Sequence, residues 1–350
     1  MDRRIGIGLS LKACLFVVNP RRGTTKKGPL LKTEEKIEAL RDCLEKESKS
    51  QAMDCLRKAL KDKSNFLVAK AAEWSAEQLA YDLIPDLVLA FDRFMNKTSD
   101  KTCAAKRAII RALYDLEYDN ASFFRDNLNY KQMEPVWGGA VDTAVELRCT
   151  CALGLVASRE PHAVLYLLEL LHDSEPQARI GALKAIELLQ PFHAEIVLHH
   201  KIHQGDEEPE VVAQAFSSLI KAAAEESLAF ISHFLNHDSD VYRESAVLAL
   251  GESRLDEGLD MLVETSETLT AFDSLASVVY RAIALQRKER AYEYLLKKIE
   301  NAPQNSAIHA IAALSMYNYN QELKDKVVAI VKQRKVKKLT EALKTHWHNE

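Results

Sequence analysis

The chain has 350 residues, with 47 Lys and Arg against 51 Asp and Glu and a formal charge of -4. Its eleven glycines and nine prolines are each about half of what average usage of roughly 7% and 5% would supply, so few tight turns are made. Ala, Leu, Lys and Glu dominate, and no stretch alternates β-branched and polar residues between hairpin turns, which excludes a sheet-based core and makes the chain all-α. Charge is uneven along it. Residues 1–32 carry eight basic residues and one acidic, residues 321–350 carry eight and four, and the body from 33 to 320 is left with -15. An acidic body argues against a nucleic-acid channel, which needs Lys and Arg clustered along the contact surface.

In chain order, residues 1–32 stand apart as a disordered or loosely attached leader. The apolar stretch from Ile5 to Val18 is interrupted by Lys12, lacks a following small-x-small cleavage site and is too short to span a bilayer. From residue 33 onward the expectation is a single continuous helical array to residue 350. In "NFLVAKAAEWSAEQ", Ala72 and Ala76 lie three and seven residues after Ala69, Pro85 starts or kinks the next helix, and Trp74 belongs to the core.

The same frame recurs. A small residue at +3 and a larger aliphatic at +7 follow Lys106 (Ile109, Leu113), Arg148 (Cys151, Leu155), Arg179 (Ala182, Ile186), Val212 (Ala215, Leu219), Arg243 (Ala246, Leu250), Ala276 (Val279, Ile283) and Ala307 (Ala310, Leu314). From 148 onward the reference positions are separated by 31, 33, 31, 33 and 31 residues. Residues four apart share a helix face, and each unit supplies a second apolar helix: "HAVLYLLELL", "HAEIVLHHKI", "SLAFISHFL" and "AYEYLLKKI". One pair cannot bury both faces, so neighbours must stack into a quasi-one-dimensional core.

The interval from 106 to 148 is 42 residues, so about ten have been inserted, at about 129–141, in "LNYKQMEPVWGGAV". Pro135 and the pair Gly138 and Gly139 hold that stretch away from helical geometry. Long loops in compact helical arrays are disproportionately functional. Trp137 is the natural anchor for a partner, with Glu134, Asp142 and Arg148 as the accompanying candidate contact residues. Asp142 and Arg148 also share the spacing of six found in Asp100 with Lys106 and Asp173 with Arg179, which marks a framework linking one turn to the next. Glu134 has no repeat counterpart and reads as the freer acid.

Turn chemistry agrees with helix pairs. Ser174 and Gln177 stand at capping-box spacing around Pro176, Asp206 precedes an acidic first turn, and His172, His203 and His237 fall at helix C-termini as caps. His199 and His203 are i, i+4, but the glutamate of a zinc-protease motif is absent because His200 takes its place. No Gly-rich phosphate loop, serine-nucleophile elbow or pair of catalytic acids is found, so no cofactor, metal or catalytic residue is assigned. Cys149 and Cys151 lack a second ligand pair; the six cysteines, Cys14, Cys43, Cys55, Cys103, Cys149 and Cys151, read as reduced thiols in a cytoplasmic setting. The basic run around Lys332, Arg334, Lys335, Lys337 and Lys338 reads as a solvated terminal helix face.

On Asp142 with Arg148, Asp173 with Arg179, and "DSDVYRESAVLALG" from Asp238 to Gly251, the sequence resembles the HEAT-repeat superfamily, including the short bacterial HEAT-like repeats, over roughly residues 50–335. "EPVWGG" followed by "DTAVELR" also resembles bacterial HEAT-repeat proteins, a likeness that implies no particular activity. The resemblance implies a right-handed α-solenoid of stacked antiparallel helix pairs, HEAT/armadillo-like. Val212, Ala276 and Ala307 depart from the arginine of the pattern, which leaves the Asp-Arg ladder incomplete. The expected function is that of a non-enzymatic scaffold or adaptor whose curved surface and Trp-Gly-Gly loop receive a protein or peptide, with a basic segment of the partner suiting the acidic body. The HEAT-like phycobilin lyases imply one alternative, handling of a chromophore or other ligand; the HEAT-like DNA glycosylases imply another, nucleic-acid binding or repair.

Overall fold

The computed structural model describes residues 29–95, 100–270 and 273–347. A first helix, α1 (Pro29–Lys46), is followed by nine helix pairs. The pairs are α2 (Lys49–Leu60) with α3 (Asn65–Glu77), α4 (Ile84–Met95) with α5 (Ala104–Asp115), and α6 (Ala121–Asn127) with α7 (Val145–Ala157). Next come α8 (Ala163–Leu170) with α9 (Pro176–Ile186), α10 (Pro191–Gln204) with α11 (Pro209–Ala222), and α12 (Ala224–Ser232) with α13 (Asp240–Ser253). The last three are α14 (Asp256–Thr268) with α15 (Ser274–Leu285), α16 (Glu289–Asn301) with α17 (Gln304–Leu314), and α18 (Gln321–Arg334) with α19 (Lys337–His346).

The repeat frame places the core. Every +7 residue from Leu113 to Leu314 is fully buried (0%), and so are the +3 residues apart from Ala215 at 1%. All the reference positions fall on odd-numbered helices, and these form one unbroken row in which each helix from α3 to α19 packs on the next odd one. Successive even-numbered helices touch one another far less, α2 on α4, α12 on α14 and α16 on α18 being the main cases, and pack instead on their odd partners. A stack that is tight along one row and splayed along the other bends toward the tight row, so the odd helices line the inner face. Burying each +7 side chain contributes roughly 1.5–3 kcal/mol. At the α13–α15 crossing the backbones come so close that a Cβ on Gly251 would lie 2.7 Å from the Ala282 carbonyl oxygen and 2.8 Å from its Cα, and glycine is the residue that permits this.

Local capping stops the helices from fraying. The Asn120, Asp273 and Asn320 side chains accept hydrogen bonds from first-turn N–H groups of α6, α15 and α18, and Pro176, Pro191 and Pro209 open α9, α10 and α11 where a missing N–H costs nothing.

The first helix begins at Pro29; residues 1–28, with Cys14 and most of the expected leader, lie outside the described residues. Within this all-α array the insertion at about 129–141 folds into an antiparallel β-hairpin, β1 (Met133–Val136) with β2 (Gly139–Asp142). Two expectations are corrected. Ser174 and Gln177 form no capping box; the residue before α9 is Glu175, and Asp173 Oδ1 accepts the Glu175 N–H at 2.8 Å. Cys43 on α1 and Cys55 on α2 are joined in a disulfide, with Cα atoms 6.7 Å apart, because the short α1–α2 connection folds the two helices against each other. Cys103, Cys149 and Cys151 remain thiols.

Candidate functional site

The hairpin is built by three local features. Pro135 removes the N–H that a helix would need, Gly138 adopts φ +91° at the turn, where an L side chain is disfavoured, and the register pairs Glu134 with Val141 and Pro135 with Ala140. Trp137 occupies the turn with its side chain fully exposed, and Met133, Val136 and Val141 are at least half exposed. An apolar group this open on a monomer marks a contact surface more often than a core.

Rigid anchoring lies beneath the exposed tip. Glu134 is not a free acid: its Oε1 accepts hydrogen bonds from Thr102 N (2.6 Å), Gln132 Nε2 (2.6 Å) and Thr143 Oγ1 (3.3 Å). The Gln132 bond does most to hold its carboxyl below the usual range; desolvation opposes it, and the Thr102 and Thr143 bonds add to the lowering. Thr102 is in the left-handed region (φ 60°) at the start of α5, so the hairpin reaches back across a repeat and pins a strained turn. Gln132 also donates to the Asp100 carbonyl at 2.7 Å.

Asp142 and Arg148 sit under the hairpin and are buried, at 7% and 0% exposure. Arg148 donates to Asp142 Oδ2 (2.6 Å) and the Tyr130 carbonyl (2.9 Å), and its other side reaches Asp173 (Nη2 to Oδ1, 3.2 Å). Burial alone would raise the Asp142 carboxyl; the N–H groups of Ala144 and Gln132 and the Arg148 guanidinium outweigh it and hold that carboxyl low. The ladder continues in both directions. Asp100 accepts from Asn65 Nδ2 and from the N–H groups of Ala105 and Lys106, and Lys106 Nζ donates to the Tyr130 hydroxyl at 2.9 Å. Arg179 takes the Asp173 carbonyl (2.9 Å), not its carboxylate, and grips both oxygens of Asp206 at 3.0 and 2.7 Å. Lys201 adds a third bond to Asp206 at 2.8 Å. Burial opposes ionisation of Asp206, yet the bonds from Arg179 and Lys201 lower its carboxyl to about 2.

The four sequence-level candidates are therefore brought together in two roles. Trp137 is the exposed tip; Glu134, Asp142 and Arg148 form the base that fixes it. Sequence reasoning missed Gln132 and Thr102, which carry no motif, and Lys201, which lies inside the run of histidines from His199 to His203.

An inner-face groove runs beside the base. Thr102, Asp142 and Thr143 border a hollow of about 520 Å³ over α5, α7 and α9, floored by Cys149, Ile180 and Gly181. Adjoining hollows of about 500 Å³ over α3 and α5 and about 420 Å³ over α9, α11 and α13 extend it in both directions. Along the three, apart from Asp142 with its partner Arg148, Glu73, Glu77, Asp115, Glu146, Glu210 and Glu252 face Arg107, Arg111 and Lys184. Two of those cations are already engaged, Arg107 with Glu146 at 2.6 Å and Arg111 with Asp115 at 2.9 Å. Cys149 in the floor has its thiol pushed up to about 11 by burial, so it is protonated and unreactive near neutrality.

The histidines do other work. His199 stacks on Phe230 at 3.8 Å and His203 meets the same ring edge-on at 5.2 Å. His172 Nδ1 lies 2.9 Å from the Leu168 carbonyl, a C-terminal cap, whereas His237 Nδ1 accepts from Ser239 N at 3.1 Å.

The stacked helix pairs define a HEAT-like helical-repeat solenoid. No protein-family model matches the chain, and no curated protein matches it in sequence. Among solved structures it is similar to Kap121p, at 11% identity over 91% of this chain and 40% of that one, with a TM-score of 0.48. It is also similar to the complex of CpcE and CpcF of phycocyanin lyase from Nostoc sp., at 16% identity over 83% and 94% of the two chains and a TM-score of 0.34. A third likeness is to human deoxyhypusine hydroxylase, at 15% identity over 84% and 100% with a TM-score of 0.30. The chain thus spans about 40% of the length of Kap121p; at these identities the likeness concerns the fold alone.

Proposed function

We propose that the protein is a non-enzymatic interaction scaffold of the cytoplasm that receives a partner protein at the Trp137 hairpin and along the adjoining inner groove. One observation carries the reading: a fully exposed tryptophan stands on a hairpin whose base is bonded to two neighbouring repeats. Anchoring of that kind lowers the ordering cost of binding, and tryptophan is the side chain most enriched among residues that dominate interface energy. The surplus of carboxylates in the groove favours a partner with a basic segment. The Cys43–Cys55 pair makes the cytoplasmic assignment testable, because alkylation of thiols in intact cells distinguishes a reduced pair from a bridged one.

A photo-crosslinking amino acid placed at position 137 in the native cell, followed by mass spectrometry, identifies the partner. Binding of that partner is then compared between wild type and Trp137→Ala. The expected loss is about 2 kcal/mol or more, roughly 30-fold in affinity. Equal affinity for the two proteins removes the basis of the proposal.

A further inference from the structure

The two edges of the hairpin are unlike. The Thr143 N–H donates to the Gln132 carbonyl at 2.9 Å, so residues 132 and 143 form a hydrogen-bonded pair. Alternation along an antiparallel ladder then makes Glu134 with Val141 and Val136 with Gly139 hydrogen-bonded pairs as well. The intervening pairs, Met133 with Asp142 and Pro135 with Ala140, turn their main-chain groups outward. On the β1 edge the outward position nearest the tip is Pro135, which has no N–H to offer and closes that edge to strand pairing. On the β2 edge the corresponding residue is Ala140, which is exposed and keeps both N–H and C=O. Nothing lies within 4 Å of where a Cβ would stand on Gly138 or Gly139, so the faces of the hairpin at its tip are uncovered.

We infer that β2 is a one-sided docking strand: an extended segment of the partner protein pairs with the Gly139–Asp142 edge as a third strand and continues as a Lys- or Arg-bearing stretch over the acidic groove. The occupant follows from two complementarities. A free outward N–H and C=O on a strand are matched by another extended backbone. The groove that begins at Thr143 and Glu146 presents six carboxylates besides Asp142 against three cations, and Glu77, Glu210 and Glu252 have no ion-pair partner among the described residues. Side-chain preference follows from the pleat. Val136 and Val141 lie on one face of the hairpin, so alternate residues of the added strand on that face are apolar. The blocked β1 edge makes the arrangement directional and leaves the hairpin unable to polymerise through both sides.

This inference rests on the hairpin being the contact site, and the test separates the two. A displayed library of linear peptides of about 12 residues, the length of a strand plus a flanking segment, is panned against the full-length protein, and the tightest peptide is made synthetically. Each backbone N–H of that peptide is then methylated in turn and binding to the unaltered protein is measured. Strand addition predicts losses of more than about tenfold at every second position of one stretch and less than about threefold between them. It also predicts that Ala140→Pro weakens binding by more than about tenfold, whereas Pro135→Ala leaves it unchanged. Because the methylation scan uses wild-type protein, it stands even if Ala140→Pro disturbs the hairpin. A scan without period two, in peptides that still need Trp137, overturns strand addition and leaves the hairpin reading intact. Peptides indifferent to both Trp137→Ala and Ala140→Pro overturn both, and so does a library that yields no binder.

Discussion

Arg148→Met is the sharpest test of how the hairpin is held. The wild-type guanidinium is fully buried and bridges two carboxylates from successive repeats, Asp142 at 2.6 Å and Asp173 at 3.1 Å from Nε. Methionine preserves much of the volume and removes the charge, so both carboxylates keep their burial and lose their shared cation. Breaking one buried pair in this way costs about 3–5 kcal/mol, because the partner left behind is an uncompensated charge. Two further consequences separate this from a packing defect. The Asp142 carboxyl is held low in the wild type, so its contribution is present at neutral pH and lost as pH falls through its lowered value. In the variant the same carboxylate is buried without its cation, so the deficit is largest near pH 7 and shrinks as pH falls and protonation relieves the buried charge. Locally, amide exchange of residues 132–144 accelerates, because Asp142 no longer holds the Gln132 and Ala144 N–H groups in place. Urea unfolding at several pH values and hydrogen-exchange mass spectrometry measure both. A deficit under about 1 kcal/mol, or one that does not shrink as pH is lowered from neutrality to the acid limit of folding, refutes the account of the ladder.

Three more predictions follow from the packing. Leu250→Ala removes a fully buried +7 residue and is expected to cost about 2–5 kcal/mol by urea denaturation; a negligible cost would mean the repeat register is misassigned. Gly251→Ala pushes a methyl group into the Ala282 backbone, which cannot swing aside as a side chain would, and should lower stability by about 1–3 kcal/mol with slowed exchange lost across α13 and α15. Replacing Cys43 and Cys55 with alanine opens a loop of twelve residues and should cost up to about 3 kcal/mol, read as faster exchange within residues 29–60 and unchanged exchange beyond residue 148.

Much of this fold can be read from residue spacing alone, because the +3 and +7 positions report a helical face and the interval of 31 or 33 residues reports its recurrence. The insertion is equally visible as an interval of 42. Its strand geometry is not, since Met-Glu-Pro-Val and Gly-Ala-Val-Asp carry little β-propensity of their own and are held extended by tertiary bonds. Glu134 illustrates why: the N–H it accepts from belongs to Thr102, 32 residues earlier, and no local pattern announces that contact. The same holds for Lys201, hidden inside an apparent histidine motif yet aimed at Asp206, and for the Cys43–Cys55 bridge, which depends on how two helices cross. The spacing of six between Asp and Arg was informative about framework but misleading in detail, because Arg179 reaches forward to the next repeat and takes only the main chain of Asp173.

The buried links between repeats differ in chemistry along the solenoid, and the hairpin sits where they are charged. From Asn65 to Asp206 the links are ionic or ion-assisted, through Asp100, Asp142, Arg148, Asp173, Arg179 and Lys201. Beyond Val212, which replaces the ladder arginine, the ion pairs between repeats involve exposed acids, Lys288 with Asp256, Arg290 with Asp260 and Lys298 with Glu267, and the buried links are made by donors reaching back to main-chain carbonyls one repeat earlier. Gln286 bonds the Leu250 carbonyl, Tyr317 that of Ala284 at 2.8 Å, and Trp347 that of Ile311 at 3.1 Å. Acid should therefore act on one half first. With its carboxyl lowered to about 2, Asp206 contributes about 2 kcal/mol of stability that is present above pH 4 and lost as pH falls toward 2, whereas a bond from a neutral donor to a carbonyl does not titrate there. Hydrogen exchange at pH 3 against pH 7, corrected for intrinsic rate, is expected to open residues 65–206 before residues 240–347; uniform opening would show that the ionic links set no local stability. A contact surface placed within such a ladder is held by directional, buried bonds on both sides, which is the arrangement that keeps an exposed hairpin in one position without a partner to order it.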